Sequence, residues 1–163
     1  MKILVFSDTH GRTGGMLRAI AAHNPDTVLH LGDCAEDTKR VEKDYPMLPI
    51  LKVCGNCDDY PHEQETREVS LGGMKLFMAH GHRHRVKWDL EPLLLAGQCA
   101  GAQMVLFGHT HRAVWETFGG MYVLNPGTAG IGPNKTFALL EIENGDVKRC
   151  EILPIPEKEP KQN

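Results

Sequence analysis

The chain has 163 residues, 41% of them hydrophobic and 24% charged, and a net charge of −3. A chain of this length buries roughly 70% of the surface it exposes when unfolded, so folding requires neither a disulfide framework nor a metal. Collagen-like, coiled-coil and disordered classes fail on composition, and the slight acidity gives no electrostatic case for binding a nucleic-acid backbone or an anionic membrane.

Lys2 to Ser7 is a short apolar run that predicts a buried strand; it is too short for a signal-peptide core or a membrane span. Thr13 can cap a helix with Met16, Leu17, Ile20 and Ala21 on one face, ended by Asn24-Pro25. A second strand is expected over Thr27 to Leu31, a polar helix over Ala35 to Lys43, and a third strand over Leu48 to Val53. That alternation predicts an α/β sheet with a parallel portion.

The second half changes character. Gly72-Gly73, Gly119-Gly120 and Asn144-Gly145 interrupt apolar runs and predict three β-hairpins: Arg67 to Met78, Ala113 to Leu124, and Thr136 to Leu153. Between the first two lie a helix over Trp88 to Ala100, with Leu90, Leu93, Leu94 and Gly97 at helical spacing, and a strand over Met104 to Phe107. One domain over residues 1–153, with two packed sheets and outer helices, is expected, then a loose tail over 154–163. The five cysteines form no paired CxxC framework and read as reduced thiols, which points to the cytoplasm.

Five polar segments each directly follow an apolar strand: Asp8-Thr9-His10, Gly32-Asp33, Gly55-Asn56-Cys57-Asp58, His80-Gly81-His82 and Gly108-His109-Thr110-His111. Ligands collect beyond the carboxyl ends of parallel strands, where distant loops converge. Asp8 and His10 are two residues apart, as are His109 and His111, so in an extended strand exit each pair faces one side. Carboxylate oxygen with imidazole nitrogen suits Mn, Fe, Ni or Zn. Taken singly each segment has an ordinary explanation, since Asp-x-His can cap a helix and Gly-Asp is common turn chemistry. Five such coincidences at strand ends are not expected of turns alone.

This ordered set of motifs resembles the calcineurin-like metallophosphoesterase superfamily over residues 1 to about 153, and the small size with Cys57 in the third motif looks most like the compact YfcE-type phosphodiesterases. The resemblance implies an α/β fold, a four-layer αββα sandwich of two mixed β-sheets flanked by helices, with two divalent ions at the strand ends. Manganese is the first choice of ion, with nickel, iron or zinc as alternatives. It also implies that Asp8, His10 and His111 hold one ion, that Asn56, His80 and His109 hold the other, and that Asp33 bridges both. The activity implied is hydrolysis of a small phosphodiester by a metal-bridging hydroxide. Two divalent ions less Asp8, Asp33 and a hydroxide leave about one positive charge to meet a phosphodiester monoanion.

One departure stands out. Many superfamily members have His where this chain has Cys57, placed to protonate the leaving alkoxide. A thiol is a poorer acid for this, so substrates with good leaving groups are expected. His82 is the candidate substitute, with Asn56 beside Cys57 in the same catalytic neighbourhood; the bland alternatives are a neutral filler at Cys57 and plain surface exposure at His82. Asp58 is read as orienting a ligand or forming a turn, His30 as a hydrogen-bonded core residue, and Asn125-Pro126-Gly127-Thr128 as a turn near the site. His23, His62 and His84 are assigned to the surface, and Met74 and Met78 to the core.

A second functional class is a protein-binding scaffold that keeps the fold and the metal site without catalysis, as the retromer scaffold subunit does. All seven expected ligand positions here carry ligand-capable side chains, which favours an active site. Neither GxxxxGK[ST], GxGxxG nor GxSxG occurs, so phosphate-loop, dinucleotide-binding and serine-hydrolase readings have no support. The expected partner is a small phosphodiester, with no nucleic-acid polymer, no membrane, and a homodimer as a family-level expectation.

Overall fold

A computed structural model describes residues 1–58 and 64–157; His62 and residues 158–163 lie outside the described set. In chain order the elements are β1 (Lys2–Phe6), α1 (Thr13–His23), β2 (Thr27–His30), α2 (Thr38–Asp44), β3 (Ile50–Lys52), β4 (Thr66–Leu71) and β5 (Met74–Ala79). They continue with α3 (Glu91–Cys99), β6 (Met104–Leu106), β7 (Ala113–Phe118), β8 (Met121–Pro126), β9 (Thr136–Glu143) and β10 (Asp146–Pro154). A short 3₁₀ turn, Ala35–Asp37, leads into α2.

The strands form two five-stranded mixed sheets, ordered β10-β9-β1-β2-β3 and β4-β5-β6-β8-β7. In the first, β1, β2 and β3 run parallel, with Val5 opposite Leu29 and Leu29 opposite Leu51. In the second, β5, β6 and β8 run parallel, with Phe77 opposite Val105 and Val105 opposite Val123.

Continuous apolar runs such as Ile3 to Phe6 are required because these strands are covered on both faces. Ile3, Val5, Leu29 and Leu31 point toward Leu76, Met78, Leu106 and Leu124 of the second sheet, forming the central core. The alternate residues Leu4, Phe6 and Val28 face Met16, Ala19 and Ile20 of α1 and Val41 of α2. On the far side, Phe77, Val105 and Val123 pack against Leu93 of α3. The result is the four-layer αββα sandwich. Leu76 is wholly buried in the middle layer, where truncation to Ala costs about 2–5 kcal/mol.

Several boundaries differ from the expected ones for identifiable reasons. Thr13 is the first helical residue of α1 rather than its cap, Arg12 precedes it, and no side chain caps the helix. α3 starts at Glu91, with Pro92 in its first turn; Trp88 lies in the preceding turns and is 85% exposed. Pro154 closes β10, and Ile155 packs onto the α1 layer while its N–H donates to Lys135 O at 2.8 Å, so ordered chain extends beyond the expected start of the tail. His84 is half-buried with its ring edge-on to Phe77, and His23 lies against Phe137, so neither is simply a surface residue. Met74 and Met78 are core.

Candidate metal centre

The parallel strands β1, β2, β3, β5 and β6 deliver the five polar segments to one end of the sandwich. Oxygen and nitrogen atoms of Asp8, His10, Asp33 and His111 lie within 4.8 Å of one another, and those of Asp33, His80 and His109 form a second such group. Asp33 belongs to both. His111 Nε2 is 3.0 Å from Asp8 Oδ1, His10 Nε2 is 3.7 Å from Asp33 Oδ2, and His80 Nε2 is 3.3 Å from Asp33 Oδ1.

The pairs converge by a different backbone route from the extended exit expected. Asp8, His10, Asp33, His109 and His111 all have positive φ, between 45° and 64°. Left-handed residues other than glycine are uncommon, and Asp and His are among those that tolerate the region. Here the exits of β1, β2 and β6 turn sharply and bring these side chains together.

Two close approaches hold these bends together. A Cβ on Gly55 would stand 2.2 Å from Asp33 Oδ1, and one on Gly108 would stand 2.0 Å from Ser7 Oγ. Only glycine permits the loops to meet so tightly.

The polar atoms that face one another are short of partners. Asp8 Oδ1, His10 Nε2 and His80 Nε2 are buried and make no hydrogen bond, despite their short mutual approaches. Buried polar groups are ordinarily satisfied, so unpartnered oxygen and nitrogen atoms crowded into two groups fit divalent cations. Hydrogen bonds fix His80, Asp33 and Asp8 from behind. His80 Nδ1–H donates to Leu31 O at 2.7 Å, which selects the tautomer whose Nε2 lone pair faces the carboxylates. Asp33 Oδ1 accepts the Cys57 N–H at 2.9 Å, and Asp8 Oδ2 accepts the His109 N–H at 3.2 Å.

The electrostatics follow from this crowding. Burial alone would raise the Asp33 carboxyl, but His80 and the Cys57 amide outweigh it and hold Asp33 well below the ordinary carboxylate range. Burial likewise opposes charge on His80, yet Asp33 and Asp8 push its pKa up. His109 is lowered to about 4 by burial, with His80 and Lys87 adding repulsion. His82 is lowered by burial and by His80. Burial and Asp33 raise the exposed Cys57 thiol.

Of the other expected site residues, Asn56 is exposed on the Gly55–Asp58 turn, and its Nδ2 donates to Cys57 Sγ at 3.3 Å. His82 joins neither close group; its ring centroid is 5.5 Å from that of His80 and 6.2 Å from that of His109. Asp58 orients the site through backbone, accepting N–H groups of Asp33, Ala35 and Gly55 at 2.7–2.8 Å. His30 is the buried, hydrogen-bonded residue expected, with Nε2 3.0 Å from Thr9 Oγ1 and Nδ1 accepting the Gly32 N–H. Asn125 donates to Gly108 O and Thr110 Oγ1, and Thr128 Oγ1 donates to Asp8 O, so this turn braces two of the motifs. Thr9 was missed as a support residue; its place inside an Asp-x-His motif was the available signal.

A family model described as the calcineurin-like phosphoesterase superfamily domain matches residues 1–145, and the chain belongs to that superfamily. It is similar to a probable metallophosphoesterase of Mycoplasma pneumoniae, 32% identical with 90% of this chain and 92% of that protein covered. It is also similar to phosphodiesterase MJ0936 of Methanocaldococcus jannaschii, 30% identical over 78% and 83%. Phosphodiesterase YfcE of Escherichia coli is a further relative, 26% identical over 80% of each chain. Among solved structures, Vps29 of Entamoeba histolytica complexed with Zn²⁺ superimposes with a TM-score of 0.76 at 25% identity, covering 96% of this chain and all of that one. Among the described residues no helix is long and apolar enough to cross a membrane.

Proposed function

We propose that the chain is a dinuclear metal-dependent phosphodiesterase that acts in the cytoplasm on a small diester with a good leaving group. The observation that carries this reading is Asp33, whose two carboxylate oxygens reach separate groups of imidazoles. Asp8, His10 and His111 would hold one divalent ion, Asn56, His80 and His109 the other, and Asp33 both. Manganese is the first choice on the mixed oxygen and nitrogen donor set. Such a pair of ions, when bound, supplies Lewis acidity toward water and a phosphoryl oxygen.

The chain's own residues do the rest. Asp33 is kept ionised across the neutral range, the Leu31 carbonyl keeps the His80 lone pair directed inward, and the His109 amide fixes the Asp8 carboxylate. Proton delivery to the leaving group is weak. Cys57 holds its proton too tightly, and His82, whose ring lies 5.5 Å from that of His80, is mostly neutral near pH 7 because its pKa is lowered. Leaving groups that depart without help are therefore favoured.

The test is turnover of bis(p-nitrophenyl) phosphate by protein purified without chelator and supplied with Mn²⁺, alongside metal analysis. Asp33→Ala should abolish turnover with little change in far-UV circular dichroism, and His10→Ala, which touches one group only, should cost less. Full activity in Asp33→Ala would refute the assignment. Bound metal with no turnover would favour the scaffold reading.

A further inference from the structure

Beside the metal centre, a recess of about 400 Å³ holds positive charge that the centre does not use. It begins at Gly11, one residue beyond His10, and is lined by Arg12, Arg18 and Lys135 with no carboxylate among its lining residues. The three cations come from the β1 exit, from α1 and from the approach to β9. That approach is pinned to the β1 exit, because Ala129 N–H donates to Ser7 O at 2.9 Å and Gly130 N–H donates to Asp8 O at 3.1 Å. A Cβ on Gly130 would stand 1.9 Å from Thr9 O, so the two segments cannot separate around a larger side chain.

Arg18 is held in place. Its Nε donates to Pro156 O at 2.8 Å, and a Cβ on Gly14 would stand 3.2 Å from its terminal nitrogen, so the guanidinium lies across the start of α1. Among the described residues none of the three cations forms an ion pair. Two carboxylates stand at the margins: Asp37, which accepts the Gly11 N–H at 2.8 Å, and Glu157, which lines the adjoining cavity of about 920 Å³. Three like charges gathered in one recess of a chain with net charge −3 repel one another, and an anion relieves that repulsion.

The geometry points to a second anion site: the recess takes a phosphate or carboxylate group carried on one arm of the diester whose phosphorus sits at the metal centre. The assignment to a substrate arm rests on the phosphodiesterase reading above; the capture of an anion does not. Guanidinium and ammonium donors give charge-assisted hydrogen bonds to either kind of group, so the substrate class becomes diesters bearing an additional anion.

Two measurements on the full chain test this. In the first, inorganic phosphate is titrated at low salt with chelator present, and backbone amide resonances are followed by NMR. Saturable shifts are expected at residues 11–18 and 129–135, with affinity about tenfold weaker in Arg12→Ala/Lys135→Ala. Arg18 is retained in that variant because its bond to Pro156 also supports the fold. Absence of saturable shifts there overturns the site.

In the second, with Mn²⁺, kcat/KM is compared for methyl p-nitrophenyl phosphate and 2-carboxyethyl p-nitrophenyl phosphate, which share a leaving group. The carboxylate-bearing diester should be preferred by about tenfold at low salt, a preference the double variant loses and added salt weakens. Phosphate binding in the recess without any such preference would assign it to a free anion and overturn the substrate-arm assignment. Hydrolysis of neither compound would sink the phosphodiesterase reading, while the phosphate titration still decides the recess.

Discussion

Asp8 and His109, 101 residues apart in sequence, are joined by a hydrogen bond of 3.2 Å from the His109 backbone N–H to Asp8 Oδ2. The bond turns Oδ1 toward the other donors and ties the β1 exit to the β6 exit. It also brings Asp8 close to Asp33, since oxygens of both lie within 4.8 Å of a common set of atoms. In Asp8→Asn the amide oxygen can still accept from His109, while the charge is lost. Mn²⁺ affinity by calorimetry should fall at least about tenfold.

Asp58 organises the third motif by accepting three backbone N–H groups from Asp33, Ala35 and Gly55. Asp58→Ala leaves those donors in a partly buried turn without their acceptor. A loss of about 3 kcal/mol is expected, seen as a Tm lowered by about 6–12 °C in chelator, and Asp58→Asn should cost less because one oxygen remains.

The raised Cys57 thiol and the lowered His82 imidazole predict a steep dependence of rate on leaving-group acidity. A series of p-nitrophenyl, phenyl and alkyl diesters should show kcat/KM dropping sharply as the leaving alcohol becomes less acidic. Cys57→His places a better proton donor on the same turn, and should accelerate the alkyl diesters by about 10²-fold while leaving the p-nitrophenyl diester little changed.

His30 predicts a pH slope in stability. Burial, chiefly, lowers its pKa to about 3, with repulsion from His80 and Lys52 adding to the effect and attraction from Asp33 opposing it. The unfolded imidazole takes up a proton near pH 6.5, whereas the folded one does so only near 3. Below pH 6.5 the unfolded state therefore binds more protons, and stability falls as pH drops toward 3. The contribution is about 1.4 kcal/mol per pH unit within that window. Urea unfolding in chelator at pH 7, 6 and 5 should show this slope, and His30→Gln should remove its share. His109, lowered to about 4, contributes with the same sign and remains in that variant.

Sequence patterning conveyed most of the architecture because both faces of the central strands are covered, so runs such as Ile3 to Phe6 are unmistakable. The hairpins were equally legible: Gly72-Gly73 and Asn144-Gly145 adopt positive φ at both turn positions, the conformation that two-residue hairpin turns demand. The site's membership could be proposed from motif order, but its backbone could not. Positive φ at Asp8, Asp33 and His109 is imposed by long-range contacts, such as the approach of Gly55 to Asp33, that no local pattern encodes. For the same reason Ile155 was unreadable: its place on α1 depends on Gly15, where an added Cβ would stand 2.3 Å from the Ile155 side chain.

Gly55, Gly108 and Gly130 interlock the floor of the centre so closely that a single extra methyl would collide with a neighbour. Packing therefore bars any larger side chain at the floor. At the rim, exposed Arg12 and Trp88 meet no such limit, so a substitution there leaves the foundation beneath as it stands.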